Sequence, residues 1–113
     1  MHPRSDDRAP CSITKTPLRN RRSRSITLRL EPWGEELTIA PNTTIQLVAK
    51  GPAGDELDIR WEGDTVTVYG WPGSVVSVLR RGAPVGRGER KTAPFLPDGM
   101  RMSEWMAAMA DVA

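Results

Sequence analysis

From Ser25 to Arg80 apolar residues return at every second position, run after run, and that rhythm restricts the segment to sheet structure. Ile26, Leu28 and Leu30 alternate with Thr27, Arg29 and Glu31. Leu57, Ile59 and Trp61 alternate with Asp58, Arg60 and Glu62, and Val66 and Val68 with Thr65, Thr67 and Tyr69. A period of two puts one face of each run in a core and the other in water. Strands are expected at about 25–31, around Leu37–Ile39, and at Ile45–Lys50, Leu57–Trp61, Thr65–Tyr69 and Ser74–Arg80, with a short one near Ala83–Val85. Between them stand turn clusters: Pro32-Trp33-Gly34, Pro41-Asn42-Thr43-Thr44, Gly51-Pro52-Ala53-Gly54-Asp55, Glu62-Gly63-Asp64 and Gly70-Trp71-Pro72-Gly73. About six strands with turn signals roughly every 8–12 residues predict an all-β domain: a small antiparallel β-sandwich or a jelly-roll-like barrel. Parallel pairing is not expected, because it needs crossovers far longer than these loops.

The two ends follow other rules. Residues 1–24 hold Pro3, Pro10 and Pro17, and only Ile13 and Leu18 as larger aliphatics after Met1. Such a segment buries too little surface to offset its ordering entropy, so a disordered tail is expected over 1–24. It carries Arg4, Arg8, Lys15, Arg19, Arg21, Arg22 and Arg24 against Asp6 and Asp7, whereas residues 25–79 carry Arg29, Lys50 and Arg60 against eight carboxylates. A basic tail thus joins an acidic body, the domain proper spanning 25–86. Residues 87–97 read as a linker. Over 98–113 the period changes, with Met102, Trp105, Met106, Met109 and Val112 at helical spacing, capped by Asp98 or Ser103. A core this small is expected to need the docked helix, or a second copy of the chain, for comfortable stability.

Reactive constellations are scarce. His2 is the only histidine, so neither a metal centre nor a Ser-His-Asp arrangement is expected in the body, and no cofactor. Cys11 is the only cysteine; it forms no intrachain bridge and reads as an incidental thiol. Glu35-Glu36, Asp55-Glu56-Asp58 and Glu62-Asp64 lack the spacing of a calcium loop, and nothing selects a pair for glycoside hydrolysis. Gly82 to Thr92 superficially resembles a phosphate loop, but Arg90 stands where glycine must precede Lys91, and Pro84 interrupts it. An enzyme is not expected. No run is long enough for a membrane span, and the alternation after Arg21-Arg22 is that of a strand and not of an export signal, which makes a cytoplasmic protein the expectation.

Two features point toward binding. Tyr69 and Trp71 share parity with Thr65 and Thr67, and Trp33 sits in a turn, so these five residues form a flat stacking strip for a sugar or nucleobase. On that reading Trp71→Ala abolishes ligand signals and spares the thermal transition; in the alternatives, Trp33 and Trp71 plug the ends of the domain, or the helix bearing Trp105 covers the strip. Trp61 continues the core face of its strand. Arg19, Arg21, Arg22 and Arg24 are placed to contact nucleic-acid phosphates, or else to fold back onto the acidic body.

Glu31-Pro-Trp-Gly-Glu-Glu36, with Gly51-Pro-Ala-Gly54 and Gly70-Trp-Pro-Gly-Ser74, resembles the framework of short uncharacterised bacterial β-sandwich proteins over about 25–82. The outline is also similar to small jelly-roll or cupin-like domains, without their His-x-His and later histidine ligands. The resemblance implies the fold and supplies no substrate, partner or catalytic residue. The expected function is a non-enzymatic binding or protein-interaction module, self-associating through a strand edge or the Tyr69/Trp71 face. The alternatives are a small-ligand or carbohydrate binder and a nucleic-acid accessory protein acting through the tail.

Overall fold

A computed structural model of the protein describes residues 10–86, 92–96 and 100–112, with side chains as far as Ala108. They form strands β1 (Cys11–Arg19), β2 (Ile26–Glu31), β3 (Glu35–Ile39), β4 (Thr44–Pro52), β5 (Asp58–Glu62), β6 (Thr65–Tyr69), β7 (Val75–Arg80) and β8 (Ala83–Pro84), and helix α1 (Met102–Val112). The strands make two four-stranded sheets, a first of order β1-β4-β7-β8 and a second of order β3-β2-β6-β5. Their alternation follows the sequence rhythm. Ile45, Leu47, Ala49, Val76 and Val78 of the first sheet join Ile26, Leu28, Leu30, Ile39, Val66 and Val68 of the second in one apolar core. Neither sheet closes on itself or pairs with the other among the described residues, so the barrel alternative does not hold.

The expected tail is the main correction. Residues 1–9 lie outside the described residues, but Cys11–Arg19 is a nine-residue strand paired antiparallel with β4, from Cys11 opposite Pro52 to Arg19 opposite Thr44. Its inward positions are Ser12, Thr14 and Thr16, all half-buried, and Leu18, which is buried. The period of two is present there but carried by hydroxyl residues, and ordering comes from the long backbone ladder instead of aliphatic burial. Pro17 is accepted because β1 is an edge strand. The domain therefore includes β1 and does not begin near residue 25.

Beyond β1, Asn20 is 1% exposed and locks the chain's next turn. Its side-chain amide donates to the carbonyls of Arg24 (2.9 Å), Ile39 (3.0 Å) and Ala40 (3.2 Å), while its Oδ1 accepts from the Arg22 N–H at 2.9 Å.

Three further expectations change. β2 and β6 pair in parallel, Thr27 opposite Thr65 through Glu31 opposite Tyr69. The crossover they need is not one loop but the whole passage through β3, β4 and β5, which visits the other sheet. Trp61 is not core: β5 is the edge of its sheet, and the ring is 46% exposed with the Arg22 guanidinium 5.2 Å above it. Residues 92–96 of the expected linker are tied down. Ala93 is buried, donates to Ser74 O at 2.9 Å and accepts from the Gly73 N–H at 3.0 Å. Residues 87–91 and 97 lie outside the described residues.

The hairpin between β5 and β6 is as expected, with Gly63 at φ +58° in the first loop position, where a two-residue turn favours glycine. Helix α1 starts at Met102, with Glu104 Oε1 accepting from the Arg101 N–H at 2.9 Å as half of a capping box. Ser103, the expected cap, lies inside the helix and uses its hydroxyl elsewhere; Asp98 is outside the described residues. Met102 is buried, Trp105 and Met106 are half-buried, and the side chains of Met109 and Val112 lie outside the described residues.

Candidate functional site

The aromatic strip does not survive folding as a unit. Strand β6 places Thr65, Thr67 and Tyr69 half-buried on the outer face of the second sheet, between Thr27, Arg29 and Glu31 of β2 and Glu62, Arg60 and Asp58 of β5. The strand ends at Tyr69, so its parity does not extend to Trp71. That ring turns inward, is 2% exposed and donates its Nε1–H to Pro52 O at 2.9 Å. Trp33 lies against Gly70, where a Cβ would stand 2.6 Å from the indole edge. Trp71 is therefore part of the interior, and Trp33 is half-buried against the core.

Polar partners hold Tyr69 instead. The Arg60 guanidinium lies 5.8 Å from the Tyr69 ring and grips Asp58 with two bonds of 3.1 and 3.0 Å. Arg60 Nη2 also donates to Ser103 Oγ at 3.1 Å, and that hydroxyl donates to Asp58 Oδ2 at 3.2 Å, which joins α1 to the sheet. The Asp58 carboxylate raises the Arg60 pKa above the usual guanidinium value, first by hydrogen bonding and then by charge. Tyr69 and Trp71 line a cleft of about 340 Å³ with Asp55, Leu57, Met100 and Arg101.

The four arginines singled out in the tail divide. Arg22 donates to the Asp64 carboxylate and to Gly63 O, and Arg24 Nε lies 2.5 Å from Asp64 Oδ2. Arg19 Nη1 donates to Thr44 Oγ1 at 3.2 Å, and Arg21 is exposed. Two of the four are therefore committed to the acidic body.

The Asp64 carboxyl is held below the ordinary carboxylate range, chiefly by its bond from Arg24 and then by Arg22. A depressed folded-state pKa contributes stability that is present above the unfolded value of about 3.9 and is lost as pH falls through the folded value. The urea midpoint of the natural chain is accordingly expected to exceed that of Asp64→Asn at pH 7, with the gap closing in acid. A gap independent of pH would show that the ion pair contributes nothing.

A surface that sequence reasoning missed lies on the first sheet. Its strands carry Lys15, Arg19, Lys50 and Arg80 and no carboxylate, whereas those of the second carry Glu31, Glu35, Glu36, Asp58 and Glu62 against Arg29 and Arg60. On its outer face Ile13, Lys50 and Val75 form one cross-strand row, and Cys11 and Pro52 begin the next. Phe95 stands over Gly73, where a Cβ would meet its ring at 2.8 Å, with Pro52 alongside. Ile13 is 60% and Phe95 76% exposed, around a hollow of about 330 Å³ bounded by Cys11, Lys50 and Val75.

Beside this patch runs the edge of β1, which no other strand pairs with among the described residues. The bonds from Asn20 N–H to Thr43 O (2.9 Å) and from Ala53 N–H to Pro10 O (2.7 Å) mark the even-numbered residues as those joined to β4. Antiparallel geometry then turns the N–H and carbonyl groups of Cys11, Ile13, Lys15 and Arg19 outward; Pro17 offers only a carbonyl. Ile13 alone gave a signal, as one of two large aliphatics in a segment expected to be disordered.

Among the described residues no group of three or more His, Cys, Asp or Glu is placed to hold a metal ion, and no helix is long and apolar enough to cross a membrane. Comparison with protein-family models, with curated proteins and with solved structures finds no match to this chain.

Proposed function

We propose that the chain is a non-catalytic protein-interaction module, a small β-sandwich that pairs with a second copy of itself through the edge of β1. The observation that carries this reading is Ile13, 60% exposed on an edge strand whose outward backbone groups have no neighbouring strand among the described residues. An unpaired edge is a template for another strand, and a large exposed aliphatic beside it supplies the apolar contact that main-chain hydrogen bonds lack.

The chemistry of β1 favours one register. Lys15 and Pro17 are residues that discourage open-ended pairing. A twofold axis at Ile13 uses only Cys11, Ile13 and Lys15, sets Ile13 against its own copy and leaves Pro17 outside the ladder. Such an arrangement closes at two chains, because the same edge is used by both. Hydrogen-bonded antiparallel neighbours lie about 5.5 Å apart between Cα atoms, within disulfide reach. In a Cys11→Ser background, Ile13→Cys is expected to give a covalent dimer on mild oxidation, and Ile13→Asp to hold the chain monomeric in sedimentation at concentrations where the natural chain dimerises. A natural chain that stays monomeric throughout would overturn the reading.

A further inference from the structure

Among the described residues four arginines have carboxylate partners: Arg22 and Arg24 on Asp64, Arg29 on Glu36 at 3.2 Å and Arg60 on Asp58 at 3.0 Å. Arg19, Arg80 and Arg81 have none among the described residues, and their backbones stand at one corner of the first sheet, where β1 and β7 end beside the start of β4. There Arg80 and Arg81 line a hollow of about 260 Å³ with Asn42, Thr43 and Thr44, and Arg19 reaches its rim through the 3.2 Å bond to Thr44 Oγ1. Among the described residues no carboxylate and no aromatic ring lines it.

We propose that this corner binds a phosphate group, free or as the terminal phosphoester of a small molecule. Like charges at one corner with no counter-ion among the described residues repel one another, and an oxyanion relieves that repulsion. The donors suit its oxygens: guanidinium forks bind tetrahedral oxyanions in pairs of parallel bonds. Thr44 Oγ1 accepts from Arg19 and so keeps its own hydrogen to give, whereas Thr43 Oγ1 donates to Pro41 O at 3.3 Å.

The backbone supplies an independent sign. Arg81 and Gly82 are the two loop residues between β7 and β8, with φ of +52° and +80°. A turn of that kind favours Asn or Gly at its first position, and the left-handed conformation is unfavourable for arginine. An arginine held there against local preference, facing the hollow with Arg80, is where a functional constraint is expected.

The test is a titration of the isotope-labelled full chain with inorganic phosphate at constant ionic strength, followed by backbone amide shifts. Saturable shifts are expected at Thr44, Arg80 and Arg81. Arg81→Gly is the decisive variant, because glycine accepts the turn conformation: it is expected to melt no lower than the natural chain while binding phosphate about tenfold more weakly or worse, the loss of a charged hydrogen bond. Arg80→Gln is expected to weaken binding in the same way. A nucleoside monophosphate forms the second arm; equal affinity identifies free phosphate as sufficient, and tighter binding identifies a phosphoester. Binding undiminished in Arg81→Gly, or shifts spread equally over Lys15, Lys50 and the other basic residues, would overturn the proposal.

Discussion

Replacement of Trp71 by alanine is expected to destabilise the domain by about 3–5 kcal/mol, the range for deleting a buried aromatic. In a domain of this size that lowers the melting temperature by at least about 12 °C. The ring is 2% exposed, sits where a Cβ on Gly51 would come within 3.0 Å of its Nε1, and satisfies Pro52 O. Trp71→Phe keeps most of the apolar area and loses only the hydrogen bond, so its effect should be smaller, about 1–3 kcal/mol. Thermal and urea unfolding followed by circular dichroism measure both. An unchanged transition in Trp71→Ala would return the indole to the surface and restore the stacking strip with Tyr69.

Asn20 provides the second large effect. Its amide satisfies three backbone carbonyls from two separate parts of the chain, one of them fully buried, and its oxygen holds the Arg22 N–H. Asn20→Ala leaves those acceptors unpaired and is expected to cost about 2–3 kcal/mol. Asn20→Asp is nearly isosteric but points a negative oxygen at the same carbonyls, so it should lower the urea midpoint further than alanine does, with partial recovery in acid as the carboxyl protonates. If Asp is tolerated better than Ala, the buried amide network does not organise this turn.

Asn20 also marks where legibility stopped. Nothing about an asparagine between Arg19 and Arg21 distinguishes a solvated tail residue from a buried knot, because its partners at Ile39 and Ala40 come from another strand end. Strand β1 was hidden for a related reason: Thr14 and Thr16 occupy inward positions where the pattern is read from aliphatics. For Trp71 the reason is local: β6 ends at Tyr69, and Gly70, at which Trp33 closes in, is a poor place to continue a strand, so the alternation does not extend to the indole. The arginines were undivided in the sequence, since charge alone does not tell which guanidinium will find Asp64 and which will be left at a corner of the first sheet.

What the amino-acid order determined unaided is the set of strands from β2 to β7, their apolar faces except at Trp61, the β5–β6 hairpin and the change of period at α1. Those properties depend on neighbours within a few positions, where side-chain alternation and turn chemistry act. Tertiary structure alone decided that β1 is ordered, that β2 and β6 run parallel, that Trp71 is interior, and that one sheet is basic while the other is mainly acidic. Each of these depends on a backbone ladder or an ion pair closed between distant segments, and the identity of a distant partner is not written in the local pattern.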